Sequence, residues 1–182
     1  QKLVSLRDED KVPGSGVLTD HFSDKLQLPL IDCIQLMIAH SDNTATNLVL
    51  DQIGLPSTNR TMERLGCPST RVNAKVYRRD TSIAPEQSKQ FGLGSTTARE
   101  MVRLLEQLHQ GQLVNKASCD AMHRHLLACQ DQTKIARLLP PGVSFAHKTG
   151  AVSRSRTDAG LIEGPSGTIA ICVLTTDNED RS

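Results

Sequence analysis

Tryptophan is absent, and the aromatic residues amount to one tyrosine and three phenylalanines in 182 residues. Four rings make no stacking platform for bases, and no basic run reaches the density of a nucleic-acid footprint, so nucleic acid is excluded as a partner. Long apolar runs are missing too. The best, LPLIDCIQLMIA at 28–39, is interrupted by Asp32 and Gln35 and is too short to span a bilayer. No C-x-x-C pair occurs. Five cysteines at irregular spacing (Cys33, Cys67, Cys119, Cys129 and Cys172) argue against a disulfide framework and read as small apolar core residues, so cysteine usage carries no sign of compartment. There is no internal repeat, no low-complexity tract, and no initiator Met or signal-peptide pattern in QKLVSLRDED.

What is present suits a single domain with a sizeable core: acidic and basic residues are mixed along the chain and nearly cancel, at net charge +1. A turn-rich stretch, VPGSGVL at 12–18, leads into LQLPLIDCIQLMIAH, where Leu30, Ile31, Ile34, Met37 and Ile38 recur at helical spacing behind Pro29. Asn43 to Ile53 reads as a second helix stopped by Gly54, and Ser57-Thr58-Asn59 as the lead into a short helix, TMERLG. From Cys67 to Gly94 periodicity is lost in a stretch long enough to be functional. Thr97-x-x-Glu100 forms a capping box ahead of Met101, Leu104, Leu105 and Leu108, and helical segments are expected near 116–127 and 131–138. The tail changes period: VSFAHKTG, TDAGLIEG and GTIAICVLTT read as a three-stranded antiparallel meander. Helices first and strands last predict an α+β or α/β sandwich, with one face of the sheet left bare.

Two polar clusters stand beside these apolar segments. Ser41-Asp42-Asn43 lies between two predicted helices, where Asp42 suits an N-cap, Ser41 offers a hydroxyl able to relay a proton, and Asn43 offers an amide. Asn47 follows one turn later on the same side. Lys148-Thr149-Gly150 ends a predicted strand and supplies a cation, a hydroxyl and a close approach to backbone. Alone, the first is an ordinary capping turn and the second is equally unspecific.

Taken together, HSDNTATNLVLDQIG, FGLGSTTAREMVRLLEQL and LPPGVSFAHKTGAV resemble the class A β-lactamases and their penicillin-binding relatives, which carry S-D-N and K-T-G in this order. The resemblance covers nearly the whole chain. It implies a three-layer sandwich of the serine β-lactamase type, an antiparallel sheet with helices, in which residues 1–182 form one incomplete catalytic domain, helical over about 26–138 with strands over about 143–176. It implies a hydrolase that opens the β-lactam amide through an acyl-serine. Ser41 would belong to the proton path to the β-lactam nitrogen, and Asn43 would touch the substrate side chain. Lys148 and Thr149, with Gly150 beside them, would hold the substrate carboxylate; Ala151 would give an oxyanion N–H. Arg156 would be a second carboxylate anchor, with Arg154 as its rival. The implied partner is a small β-lactam or peptidoglycan-like molecule, met in the periplasm or outside the cell, by a protein that is monomeric when complete and needs no cofactor.

The family's third motif, S-x-x-K, occurs nowhere in the 182 residues. Ser57-Thr58-Asn59-Arg60 has the spacing but ends in a guanidinium, which is no base. The family's layout places the nucleophile roughly twenty residues before Gln1. It also opens with a helix and two strands and closes with a long helix, so the chain is expected to be an internal piece, inert alone. The deacylating glutamate of class A enzymes has one candidate in the loop before TTAREM, Glu86, which lies closer to that helix than the pattern expects; Asp80 is the other acid. With a working base the parent is a β-lactamase, and without one a penicillin-binding peptidase or esterase-like relative, or a non-catalytic binding domain. A zinc module is the rival of another class, since Cys119, His123, His125 and Cys129 fall within eleven residues. Their spacing fits no zinc framework, however, and the segment reads as an amphipathic helix, so no metal is expected.

Overall fold

The computed structural model describes residues 2–179, which fall in two compact units, Gln1–Thr96 and Thr97–Ser182. In the first, β1 (Leu3–Ser5) and α1 (Leu18–His21) precede β2 (Gln27–Pro29), which pairs antiparallel with β1. Pro29, at φ −55°, turns the chain directly into α2 (Leu30–Ala39). Ser41, in the left-handed region at φ 52°, then reverses it into α3 (Asn43–Ile53). The core of this unit joins Val4, Leu6, Leu18, Cys33, Ala45, Leu48 and Val49. Ile31, expected on the apolar face of α2, is 38% exposed, because Cys33 and Ile34 take the inward stripe instead.

Gly54, at φ 76°, ends α3 and also starts α4 (Leu55–Arg64), with Pro56 in its first turn. The helix therefore begins two residues before the Ser57 expected to precede it. The aperiodic stretch 67–94 is ordered: it holds β3 (Arg71–Val72), a 3₁₀ turn at Arg79–Thr81 and α5 (Pro85–Phe91) before β4 (Gly94–Ser95), which pairs with β3. Its order comes from side chains of other elements. Asn59 of α4 donates to Val72 O at 3.0 Å and accepts Val72 N–H at 2.8 Å, and Asn47 of α3 repeats that clamp on Val76. Periodicity has no way to register such bonds.

In the second unit Thr97 caps α6 (Ala98–His109) by accepting Glu100 N–H, and Asn115 caps α7 (Lys116–Leu127) through Ser118 N–H. The helix expected over 131–138 is a correction: only a 3₁₀ turn, Ile135–Leu138, forms there, because 131–134 wraps its own polar groups around the Asp131 carboxylate. The meander forms as expected, with β5 (Ser144–Val152), β6 (Ser155–Gly164) and β7 (Gly167–Thr175) in the order β5-β6-β7. Leu105 and Leu108 of α6 and Cys119, Met122 and Leu126 of α7 pack on the face carrying Ala146, Ala159, Leu161 and Ala170. Side chains alternate across the sheet, so Ile169 and Val173 lie on the other face, 61% and 42% exposed.

Candidate active site

In the first unit the S-D-N turn is built around a buried carboxylate. Asp42 is 1% exposed, and its two oxygens accept three backbone N–H groups: Val17 at 2.7 Å, Leu18 at 2.9 Å and Ala45 at 2.8 Å. One acid thus caps α3 and draws the P-G-S-G-V segment onto it. Asn43 completes the join by donating Nδ2 to Pro13 O at 2.8 Å and its backbone N–H to Ser15 O at 3.0 Å. The approach is so close that a Cβ on Gly16 (φ 120°) would stand 2.3 Å from Asp42 Cγ. Ser41 and Asn43, both half-buried, flank the anchored Asp42. Glu86 lies on α5, where its carboxylate bonds to Lys89 at 2.8 Å, and its side chain is 83% exposed. Asp80 pairs with Arg78 at 3.3 Å, and this pairing holds its carboxyl below the usual range against the cost of burial.

In the second unit, β5 pairs with β6 on one edge and with no other strand among the described residues, so alternate backbone N–H and C=O groups of Lys148–Ala151 face away from β6. Lys148 is half-buried, and its Nζ donates to Thr149 O at 2.8 Å. Burial lowers its pKa, while Cys129, Asp131 and Asp158 oppose the shift. At Gly150 a Cβ would meet the Thr157 hydroxyl of β6 at 2.5 Å. Arg156 stands directly across from Ala151 in the strand register, its guanidinium donating to Val152 O and to Ser155 O. Arg154, its rival, pairs with Asp177 in the open, both side chains being about 70% exposed.

A polar network lies on the Thr149 side of the strand, and the local sequence pattern carries almost no sign of it. His147, wholly buried, donates Nδ1–H to Asp158 at 2.8 Å, and Asp158 also accepts Ile135 N–H at 3.1 Å. The Cys129 thiol bonds to the same imidazole, and Phe145 stacks on the ring with centroids 4.2 Å apart. Burial opposes the charged ring, but Asp158 and Cys129 outweigh it and raise His147 to about 9. Burial also pushes the Cys129 thiol up, and its bonds to His147 and Asp131 N–H bring it below its ordinary value. Asp131 receives the Thr149 hydroxyl, two bonds from Thr133 and Lys134 Nζ, which together overcome burial and hold it well below the carboxylate range. The only signal was the H in HKTG.

Three of the four residues of the zinc reading are engaged elsewhere. Cys119 is in the apolar core, His123 pairs with Glu163 at 3.0 Å, and Cys129 serves His147. No group of three or more metal-ligating side chains assembles among the described residues.

Residues 1–182 match, over their whole length, the family described as Beta-lactamase2, the beta-lactamase enzyme family. The chain belongs to the beta-lactamase enzyme family. A beta-lactamase from Sphaerobacter thermophilus is 33% identical with a TM-score of 0.86, the match covering 98% of this chain and 66% of that one. PBP-A is 24% identical at a TM-score of 0.83, covering 100% and 65%, and the TLA-1 extended-spectrum beta-lactamase is 21% identical at 0.86, covering 100% and 68%. These likenesses establish the mixed α/β fold of serine β-lactamases, and the chain spans about two thirds of the length of those structures. Curated proteins yield no match. No helix among the described residues is long and apolar enough to cross a membrane.

Proposed function

We propose that this chain supplies the S-D-N and K-T-G parts of a class A serine β-lactam hydrolase whose nucleophile, an S-x-x-K serine, comes from outside residues 1–182. The observation that carries the reading is the end of β5, where half-buried Lys148 is followed by buried Thr149 and by Ala151, which pairs in register with Arg156 on the Thr149 face of the sheet. In a chain of this family, that end suits a β-lactam carboxylate. Lys148 and Arg156 attract it and Thr149 orients it. The serine oxygen attacks the lactam carbonyl, and Ala151 N–H takes the charge that develops on the carbonyl oxygen. The C–N bond then breaks, and the ring nitrogen receives its proton by way of Ser41. Asn43 contacts the acyl side chain. Water afterwards hydrolyses the acyl-serine and frees the site. The reading carries with it a place outside the cytoplasm, where such substrates are met, and an inert isolated chain.

A second reading, a penicillin-binding peptidase with a long-lived acyl-enzyme, is favoured by one observation. The loop residue clamped onto α3 by Asn47 is Val76, which is apolar, whereas Glu86 and Asp80 are engaged by Lys89 and Arg78. A PBP-A variant has been solved as an acyl-enzyme with penicillin G, at 25% identity to this chain.

The test is intact mass after incubation with benzylpenicillin, for this chain and for a longer one in which an S-x-x-K segment precedes it. An adduct on the longer chain alone supports the proposal, and its persistence over hours selects the second reading. An adduct on residues 1–182 alone, with Ser41 the first suspect, would overturn it.

A further inference from the structure

Tyr77 is the sole tyrosine of the chain, 65% exposed, and holds φ at 56°. A bulky side chain in the left-handed region is strained, and Gly or Asn is normally placed there instead. The surroundings force it. Val76 is clamped from both sides by Asn47, Lys75 and Arg78 pair as a bridge around the tip, and Lys75 reaches Asp51 of α3. Thr81 Oγ1 accepts Lys75 N–H at 3.0 Å and donates to Arg78 O at 2.6 Å, tying the tip from below. An exposed aromatic thus stands at the apex of a strained turn whose backbone is held on both sides.

Its position is specific. A Cβ on Gly14, itself at φ 95°, would lie 3.3 Å from a Tyr77 ring carbon, 3.4 Å from its hydroxyl and 2.6 Å from Asn43 Nδ2. The absent side chain at position 14 lets the Tyr77 ring and the Asn43 amide rest on the same piece of backbone. Asn43 uses one N–H on Pro13 O and carries a second on the same nitrogen. A flat ring beside an amide donor, both against the Gly14 backbone, matches a ligand with an aromatic group next to an amide carbonyl.

We propose that Tyr77 is a specificity-determining residue of the substrate site, its ring forming the wall against which an aromatic acyl side chain of a β-lactam stacks while Asn43 Nδ2 donates to that side chain's amide carbonyl. The inference rests on the β-lactam reading above. A ring carried on a held backbone has only two side-chain torsions to lose on stacking, and it favours ring-bearing side chains over the unsubstituted nucleus.

With one tyrosine and no tryptophan in the chain, Tyr77 is visible by itself in ring NMR signals and in fluorescence. The chain is titrated with benzylpenicillin and with aminopenicillanic acid, which has the bicyclic nucleus and no acyl group. Ring signals of Tyr77 and the Asn43 side-chain amide are expected to shift with the first only, while the Lys148 backbone amide shifts with both. Tyr77→Gly, which removes the ring and relieves φ and so retains the fold, weakens benzylpenicillin roughly five-fold. Aminopenicillanic acid is unaffected, and Tyr77→Phe binds both like the parent. Equal shifts of the Tyr77 ring with both compounds, or amide shifts with an unmoved ring, overturn the role of Tyr77 and leave the β-lactam reading standing. Amides that respond to neither compound overturn that reading, and this inference with it.

Discussion

Asn47 donates Nδ2 to Val76 O at 3.0 Å and accepts Val76 N–H on Oδ1 at 2.8 Å, so one buried side-chain amide satisfies both halves of a loop peptide from a helix 29 residues away. Asn47 itself is buried, at 4% exposed. Asn47→Ala removes both bonds at once and is expected to cost about 2–4 kcal/mol in urea unfolding. It should also release the strained turn at Tyr77. Asn47→Asp keeps the acceptor and loses the donor, and falls between. A cost near zero for Asn47→Ala would mean that the loop is not ordered by α3.

Asp42 is the second point on which the S-D-N turn depends. Its carboxylate serves Val17, Leu18 and Ala45, and asparagine can match only one of its two oxygens. Asp42→Asn sets an NH₂ against at least one backbone N–H and is expected to destabilise by about 2–4 kcal/mol. Gly16→Ala meets the same carboxylate from the other side, with a clash at 2.3 Å and a strained φ of 120°. It should cost at least about 2 kcal/mol. Thermal unfolding of the two single variants and the double variant checks the account: residues in contact give a non-additive double.

The helices α2, α3, α6 and α7 and the final meander were legible because each follows a single periodicity bounded by a cap or a glycine. Leu105 and Leu108, for example, face Ala146 and Leu161 as their spacing implies. Asp42 as N-cap was legible for the same local reason. The loop 67–94 was not, because its order is imposed by Asn47 and Asn59, whose partners lie at separations of 29 and 13 residues. The helix expected at 131–138 failed because Asp131 bonds Thr133 N–H and Lys134 in place of a helical ladder. The role of His147 is not legible in HKTG, since nothing local shows that Asp158 and Cys129 converge on it.

Glu86 was the sequence's candidate for the deacylating base, and its surroundings predict that it is not one. Its side chain is 83% exposed and its bond to Lys89 is an ordinary helical surface pair. Glu86→Gln is expected to leave the urea midpoint unchanged. In a longer chain bearing S-x-x-K it should leave the rate of loss of a benzylpenicilloyl adduct unchanged too. A large slowing of that rate would restore Glu86 as the base.

His147 predicts the pH dependence. Its pKa is raised from 6.5 to about 9 in the folded protein, by Asp158 and Cys129 against the effect of burial. The imidazolium therefore binds its proton more tightly folded than unfolded. Its stabilisation is complete below pH 6.5 and is lost as pH rises through about 9. The groups facing it are Asp158 on β6 and Cys129 and Gln132 before the 3₁₀ turn, with Asp131 and Lys148 nearby. Cys129 works in the opposite sense: its folded pKa is lowered, so its share is present above the unfolded value and is lost as pH falls through the folded one. Unfolding free energy measured from pH 6 to 10 should decline across the 6.5–9 window in the parent. Asp158→Asn removes the main partner that raises the ring, and His147→Gln removes the proton itself, so both variants should flatten that slope. ¹⁵N shifts of the His147 ring, which report an imidazolium directly, should show both nitrogens protonated at pH 7. A neutral ring at pH 7, together with a flat parent profile, would show that the buried Asp158 carboxylate holds an uncharged histidine.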